Sequence, residues 1–111
     1  MEIRPWGHFK VLYKGKDYLI KELVIKPGGK TSLQYHNYRD EYWIVLKGKG
    51  KAILDDTEID LEPGIFLKVP RTVKHRIIND GKEDLVIIEV WVGEKLDEND
   101  IVRLEDEYGR V

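Results

Sequence analysis

Hydrophobic and polar positions alternate in short bursts along most of the chain. Asp17 to Lys26 alternates through Leu19, Lys21, Leu23 and Ile25 and stops at Pro27-Gly28-Gly29. Glu41 to Lys47 is a Tyr-Trp-Ile-Val-Leu run that stops at Gly48-Lys49-Gly50. Lys51–Leu54 meets Asp55-Asp56, Ile59–Leu61 meets Glu62-Pro63-Gly64, and Ile65–Val69 meets Pro70. His75–Ile78 meets Asn79-Asp80-Gly81, and Leu85–Val92 is an almost unbroken β-branched run. Period-two segments bounded by turn residues predict antiparallel strands in a sandwich or closed barrel, not βαβ units. The C-terminus reads differently. Ile101, Leu104 and Tyr108 recur at three and four, acidic Asp97, Glu98 and Asp100 precede them, and Gly109 follows. That spacing predicts one short helix packed on the barrel.

At 111 residues the chain fits one domain, residues 1–111, and 41% hydrophobic content is enough for a packed core. No apolar run approaches the roughly 20 residues of a membrane span, and the first residues lack a signal peptide's pattern. A cytoplasmic protein with no membrane partner is expected. A net charge of −2 without any basic cluster argues against nucleic acid. There is no cysteine, so any metal must be held by nitrogen and oxygen.

Two of the three histidines, His36 and His75, lie in patterned surroundings. Gln34 and His36 are two apart and share a strand face. Glu41 follows after a short loop, and His75 arrives from a distant hairpin. An amide oxygen, a carboxylate and two imidazoles make a reasonable ligand set for a divalent cation. Alternation also puts Arg39 on the face of Glu41 and Trp43. A guanidinium there needs an anionic partner, either Glu41 itself or a ligand's phosphate. Lys21 and Glu89 each sit among apolar neighbours. They read either as solvated residues or as a buried pair, with Glu89 a proton-transfer carboxylate of raised pKa. Ser32 and Asp40 have no triad context, so hydrolase chemistry of that type is not supported.

Around His36 the order is Gly28, five residues, Gln34, one residue, His36, four residues, Glu41, six residues, Gly48. Around His75 it is Gly64, five residues, Pro70, four residues, His75, three residues, Asn79. These two stretches resemble the paired motifs of the cupin superfamily, with Gln34 replacing the first motif histidine and Thr72 a motif glycine. The chain further resembles the isomerase domain of type II mannose-6-phosphate isomerases, often fused to a mannose-1-phosphate guanylyltransferase. Arg4-Pro5-Trp6-Gly7, Ser32-Leu33-Gln34-Tyr35-His36, Asp100-Ile101-Val102-Arg103 and Tyr108-Gly109-Arg110 carry that likeness across nearly the whole chain.

The resemblance implies an all-β double-stranded β-helix with Gln34, His36, Glu41 and His75 as metal ligands. The ion would be zinc foremost, with manganese, iron or nickel as alternatives. It implies interconversion of mannose 6-phosphate and fructose 6-phosphate, with Arg39, Lys21 and Glu89 as catalytic candidates. Arg103 and Arg110 are within the pattern's reach of a phosphate, or are surface charges. A homodimer is expected. No nucleotidyltransferase segment stands in these residues, so guanylyl transfer is not expected. Asn37, Tyr38 and Tyr42 stand where the family carries histidines. Two other readings therefore stay open: a metal-holding cupin of another activity, such as an epimerase or dioxygenase, and a noncatalytic sugar-binding module.

Overall fold

The computed structural model describes residues 1–111 as eleven strands and no helix. They run β1 Glu2–Arg4, β2 Gly7–Lys14, β3 Tyr18–Ile25, β4 Leu33–Tyr35, β5 Arg39–Lys47, β6 Gly50–Leu54, β7 Thr57–Leu61, β8 Phe66–Val69, β9 His75–Ile78, β10 Leu85–Gly93 and β11 Val102–Glu105. Two sheets face each other. One has the order β1-β2-β3-β10-β5-β8 and the other β11-β4-β9-β6-β7, with every pairing antiparallel. No helix is long and apolar enough to cross a membrane.

Strand alternation is what places the site. On β3, β5 and β10 every second side chain points inward and is buried. The register aligns these inner rows: Leu85 opposes Ile25, Ile87 opposes Leu23 and Val45, and Glu89 opposes Lys21 and Trp43. Trp91 then opposes Leu19 and Glu41. All three strands thus pass from apolar to polar inner residues at one level of the barrel. Below that level Ile25, Val45, Ala52, Leu85 and Ile87 form a closed core, each at most 1% exposed. Burying each large aliphatic there contributes about 1.5–3 kcal/mol. Above it the interior turns polar.

Turn chemistry fixes the register. Gly48 ends β5 with φ 86°, and a side chain there would meet Asp84 O at 2.3 Å. Only glycine fits both conditions. Asp55 opens the β6–β7 hairpin in the left-handed region, at φ 50°, a conformation aspartate tolerates.

The C-terminal helix expected over Asp97–Tyr108 is absent. Asp97 Oδ1 instead accepts from Asn99 N–H at 2.8 Å, and Asp97 O accepts from Asp100 N–H, closing a turn. Residues 102–105 then pair with β4 as the edge strand β11. Ile101 lines the interior cavity, Tyr108 packs on the core, and Leu104 stays 40% exposed. The three-four spacing was therefore produced by a turn, a strand and a second turn in succession. Rather than starting a helix, Asp97 closes the local turn, Asp100 accepts from the Asn37 and Tyr38 amides and Glu98 pairs with Lys21, while Gly109, at φ 74°, closes a β-turn from Asp106.

Candidate metal centre

His36 follows β4, Glu41 lies in β5 and His75 opens β9, so both sheets contribute. One ligand atom from each falls within 4.8 Å of the other two. His36 Nε2 is 3.2 Å from His75 Nε2 and 3.2 Å from Glu41 Oε2. The protonation pattern follows from the outer partners. His36 Nδ1 lies 2.6 Å from Asp100 O, and His75 Nδ1 lies 3.0 Å from Val73 O. A carbonyl only accepts, so each Nδ1 carries the proton and each Nε2 presents a lone pair inward. Burial, opposed by Glu41, lowers His36 to about 4. Burial also lowers His75. Both rings are therefore neutral near pH 7.

Burial alone would raise Glu41. The imidazoles and Arg39 outweigh it and hold the carboxyl near 2, helped by Trp43 Nε1–H donating to Oε1 at 2.9 Å. Arg39 Nε donates to Glu41 Oε2 at 2.9 Å, and its Nη2 lies 3.3 Å from His36 Nε2. The guanidinium stacks on Trp91, 3.3 Å from the ring centre. Of the two partners considered for Arg39, the buried one is Glu41.

Two imidazole lone pairs and a carboxylate converge on one point, and the Arg39 guanidinium beside Glu41 and His36 answers only part of that donor capacity. This chemistry fits a divalent ion of the nitrogen- and oxygen-preferring kind. Gln34 stands opposite His75 in the register and lines the same cavity, while its amide nitrogen donates to Ser32 O at 3.4 Å.

The cavity holds about 250 Å3, room for one small ligand. Lys21 and Glu89 both line it and are at most 5% exposed, so the strand phase that buries them is the one adopted. Burial pushes Glu89 up to about 8, with the Glu41 charge adding to it and Lys21 opposing. Trp91 Nε1–H donates to Glu89 Oε1 at 3.0 Å. Lys21 Nζ sits 3.9 Å from the ring centres of both Phe9 and Trp91, and donates to Glu98 Oε1 at 2.6 Å. Arg103 lies opposite Gln34 in the β11–β4 pair. Its buried Nε has no hydrogen-bond partner. Burial first, then the charge of Arg110, pulls Arg103 below the ordinary arginine value. Arg110 is tied to Asp106 through Nε at 2.8 Å and Nη2 at 3.0 Å.

Two features escaped the sequence reading. Glu41-Tyr42-Trp43 and Glu89-Val90-Trp91 repeat one device, an indole donating to the carboxylate two residues earlier. The repeated Glu-X-Trp was the available signal. The second is Asp100, whose carboxylate accepts from Asn37 and Tyr38 N–H at 2.9 and 3.0 Å. Neither backbone donor leaves a mark in the sequence.

Two facing antiparallel sheets enclosing a cluster of two histidines and one carboxylate define a cupin-type β-barrel with a donor set suited to a metal ion. The Schizosaccharomyces pombe Cnp3 cupin domain shares this fold at a TM-score of 0.74, with 19% identity, over 77% of this chain and 63% of that one. The chain belongs to the family described as mannose-6-phosphate isomerase C-terminal, which matches residues 1–106. The alginate biosynthesis protein AlgA of Pseudomonas aeruginosa is 42% identical over 107 residues, 96% of this chain but 22% of that protein. The capsular polysaccharide assembling protein CapF of Staphylococcus aureus matches at a TM-score of 0.84 and 26% identity, over 96% of this chain and 32% of that one. The chain therefore spans about a fifth of the AlgA relative and about a third of CapF.

Proposed function

We propose that this domain interconverts mannose 6-phosphate and fructose 6-phosphate, using a divalent ion, zinc foremost, held by His36, Glu41, His75 and Gln34. The observation that carries the reading is the convergence of two Nε2 lone pairs and an ionised carboxylate in a cavity that also holds a buried carboxyl and a guanidinium whose Nε has no partner. Membership of the isomerase-domain family supports it. When bound, the ion polarises the sugar's carbonyl and hydroxyl oxygens, a contribution of several kcal/mol.

The remaining roles belong to the chain's own groups. Arg103, with a free buried Nε–H, is placed to receive the phosphate, and Arg110 adds charge beside it. Glu89 is the base. In the aldose-to-ketose direction it takes the proton from C2 and returns it to C1, while the O2 proton moves to O1. No external oxidant or reductant is needed. Its pKa of about 8 lies near neutral pH, where a proton-transferring group is most effective. Lys21, held between two aromatic faces, favours the ionised form of Glu89. Arg39 keeps Glu41 charged and oriented.

The test is metal analysis of freshly purified protein, followed by a coupled assay for fructose 6-phosphate formed from mannose 6-phosphate. One ion per chain and turnover are expected, with both lost in His75→Ala. Unchanged metal content and turnover in both His75→Ala and Gln34→Ala would end this reading.

A further inference from the structure

Two buried side-chain polar atoms in the fold find no hydrogen-bond partner, Arg103 Nε and Ser32 Oγ. Both residues line the interior cavity. Ser32 is 1% exposed, so solvent does not answer its hydroxyl. The adjacent Thr31 is the contrast. Its Oγ1 accepts from Ile77 N–H at 2.8 Å, and its carbonyl accepts from Arg76 Nε at 3.0 Å. Ser32 belongs instead to the alternating row Ser32, Gln34, His36, all three of which line the cavity. A buried hydroxyl without a partner destabilises a fold, and such a group marks a place that a ligand completes. Position narrows the ligand. One two-residue step separates Ser32 from Gln34, about 7 Å along the strand. That is the scale between the reacting carbons of a hexose 6-phosphate and its phosphorus. Arg103 opposes Gln34 in the register, which sets it diagonally across the strand pair from Ser32. Arg103 forms no salt bridge, and the charges of Arg110 and Arg4, which line the same cavity, bear on it.

We propose that Ser32 is a second phosphate-binding residue, its Oγ–H donating to one oxygen of the phosphate whose other oxygens meet Arg103. This rests on the isomerase reading above and deepens it. A phosphate carries three acceptor oxygens and satisfies both orphaned donors at once. A sugar hydroxyl would meet the serine but leave the guanidinium's charge unanswered. Ser32 is thereby a specificity-determining residue. A phosphorylated sugar gains both hydrogen bonds, and the free sugar gains neither.

Titration calorimetry on freshly purified wild type and Ser32→Ala tests this, with mannose 6-phosphate, free mannose and inorganic phosphate as probes. Turnover of mannose 6-phosphate is followed on the same preparations. Removing a hydrogen bond to a charged group weakens binding about 10–100-fold. That loss is expected for mannose 6-phosphate and for inorganic phosphate, with the affinity for mannose unchanged. Ligand-free Ser32→Ala should melt a few degrees above wild type, because the unpartnered hydroxyl is gone. Equal phosphate affinity in the two proteins overturns the proposal, and so does a wild type that binds neither phosphate probe. A loss equally large with free mannose also overturns it, because the hydroxyl would then hold the sugar. So does a lower melting temperature, because the hydroxyl would then hold the fold. Phosphate binding that needs Ser32 in a protein without isomerisation supports the phosphate site and ends the isomerase reading. Isomerisation indifferent to Ser32→Ala does the reverse.

Discussion

The Nε2 atoms of His36 and His75 stand 3.2 Å apart, each ring having already committed its Nδ1 proton to a backbone carbonyl. Protonating either ring forces a charge into a site that buries it beside Arg39. An unfolded imidazole takes its proton near pH 6.5, whereas His36 in the fold waits until about 4 and His75 is also lowered. Between those values the unfolded chain binds more protons, so metal-free protein loses stability as pH falls. The slope is up to about 1.4 kcal/mol per pH unit for each histidine. Glu41's stabilisation is intact above its ordinary 4.5 and fades only below it, as pH drops toward 2. Urea unfolding of chelator-treated protein from pH 7.5 to 5 measures the slope. Because Glu89 titrates with the opposite sign in this window, the profile is taken in a Glu89→Gln background, where a flat result would contradict neutral, inward-facing Nε2 atoms.

Glu89 carries the opposite sign. Its folded pKa of about 8 lies above the ordinary 4.5, so the fold holds a proton that the unfolded chain has released. Stability from this group is intact below pH 4.5 and declines as pH rises toward 8. Glu89→Gln removes that cost while keeping shape and the Trp91 hydrogen bond. At pH 7 the variant should be more stable by on the order of 2–3 kcal/mol. Its kcat should fall about 10²–10⁴-fold with metal content unchanged. Calorimetry and the coupled assay together separate a base from a structural carboxyl, because a structural carboxyl would lose stability instead. The same variant also isolates the histidine slope, which Glu89 otherwise opposes between pH 4.5 and 6.5.

Thr72 sits at φ 71°, in the left-handed region, with its N–H donating to His36 O at 2.7 Å. A β-branched residue there costs about 1–2 kcal/mol, partly offset because glycine loses more backbone entropy on folding. Thr72→Gly should therefore stabilise by about 0.5–1 kcal/mol and raise Tm by a few degrees. A lower Tm would show that the threonine side chain makes a compensating contact.

This threonine stands where the resemblance places a motif glycine, which shows what kind of information the sequence carried. Residues that act locally were legible. Alternation on β3, β5 and β10 predicted inner and outer faces, and motif spacing drew His36, Glu41 and His75 together. β2 went unread because Lys10–Lys14 is exposed on both faces, leaving no alternation to detect. The terminal helix was misread because a turn, a strand and a second turn imitate its spacing. Arg39 beside Glu41 followed from strand phase, but the Asp100 contacts to His36, Asn37 and Tyr38 did not. They cross more than 60 residues and end on backbone atoms, which have no residue signature.

Asp100 grips the His36 loop from outside the two motifs. Its carboxylate takes two backbone N–H groups, and its own carbonyl holds the His36 ring at 2.6 Å. The neighbouring Glu98 pairs with buried Lys21, so the segment is anchored at both ends of the cavity. Asp100→Ala leaves two donors to solvent and frees the loop that orients His36. The carbonyl partner of His36 Nδ1 is main-chain and survives in alanine, so the loss of metal affinity comes through the freed loop and is expected near the low end of the about 10–100-fold typical of outer partners. A global stability cost of about 1–2 kcal/mol should accompany it. Asp100→Asn keeps one acceptor oxygen and should recover part of the affinity. Metal titration by calorimetry on the three proteins decides the matter. If Asp100→Ala loses stability but binds metal as tightly as wild type, the clamp holds only the loop, and His36 keeps its orientation without it.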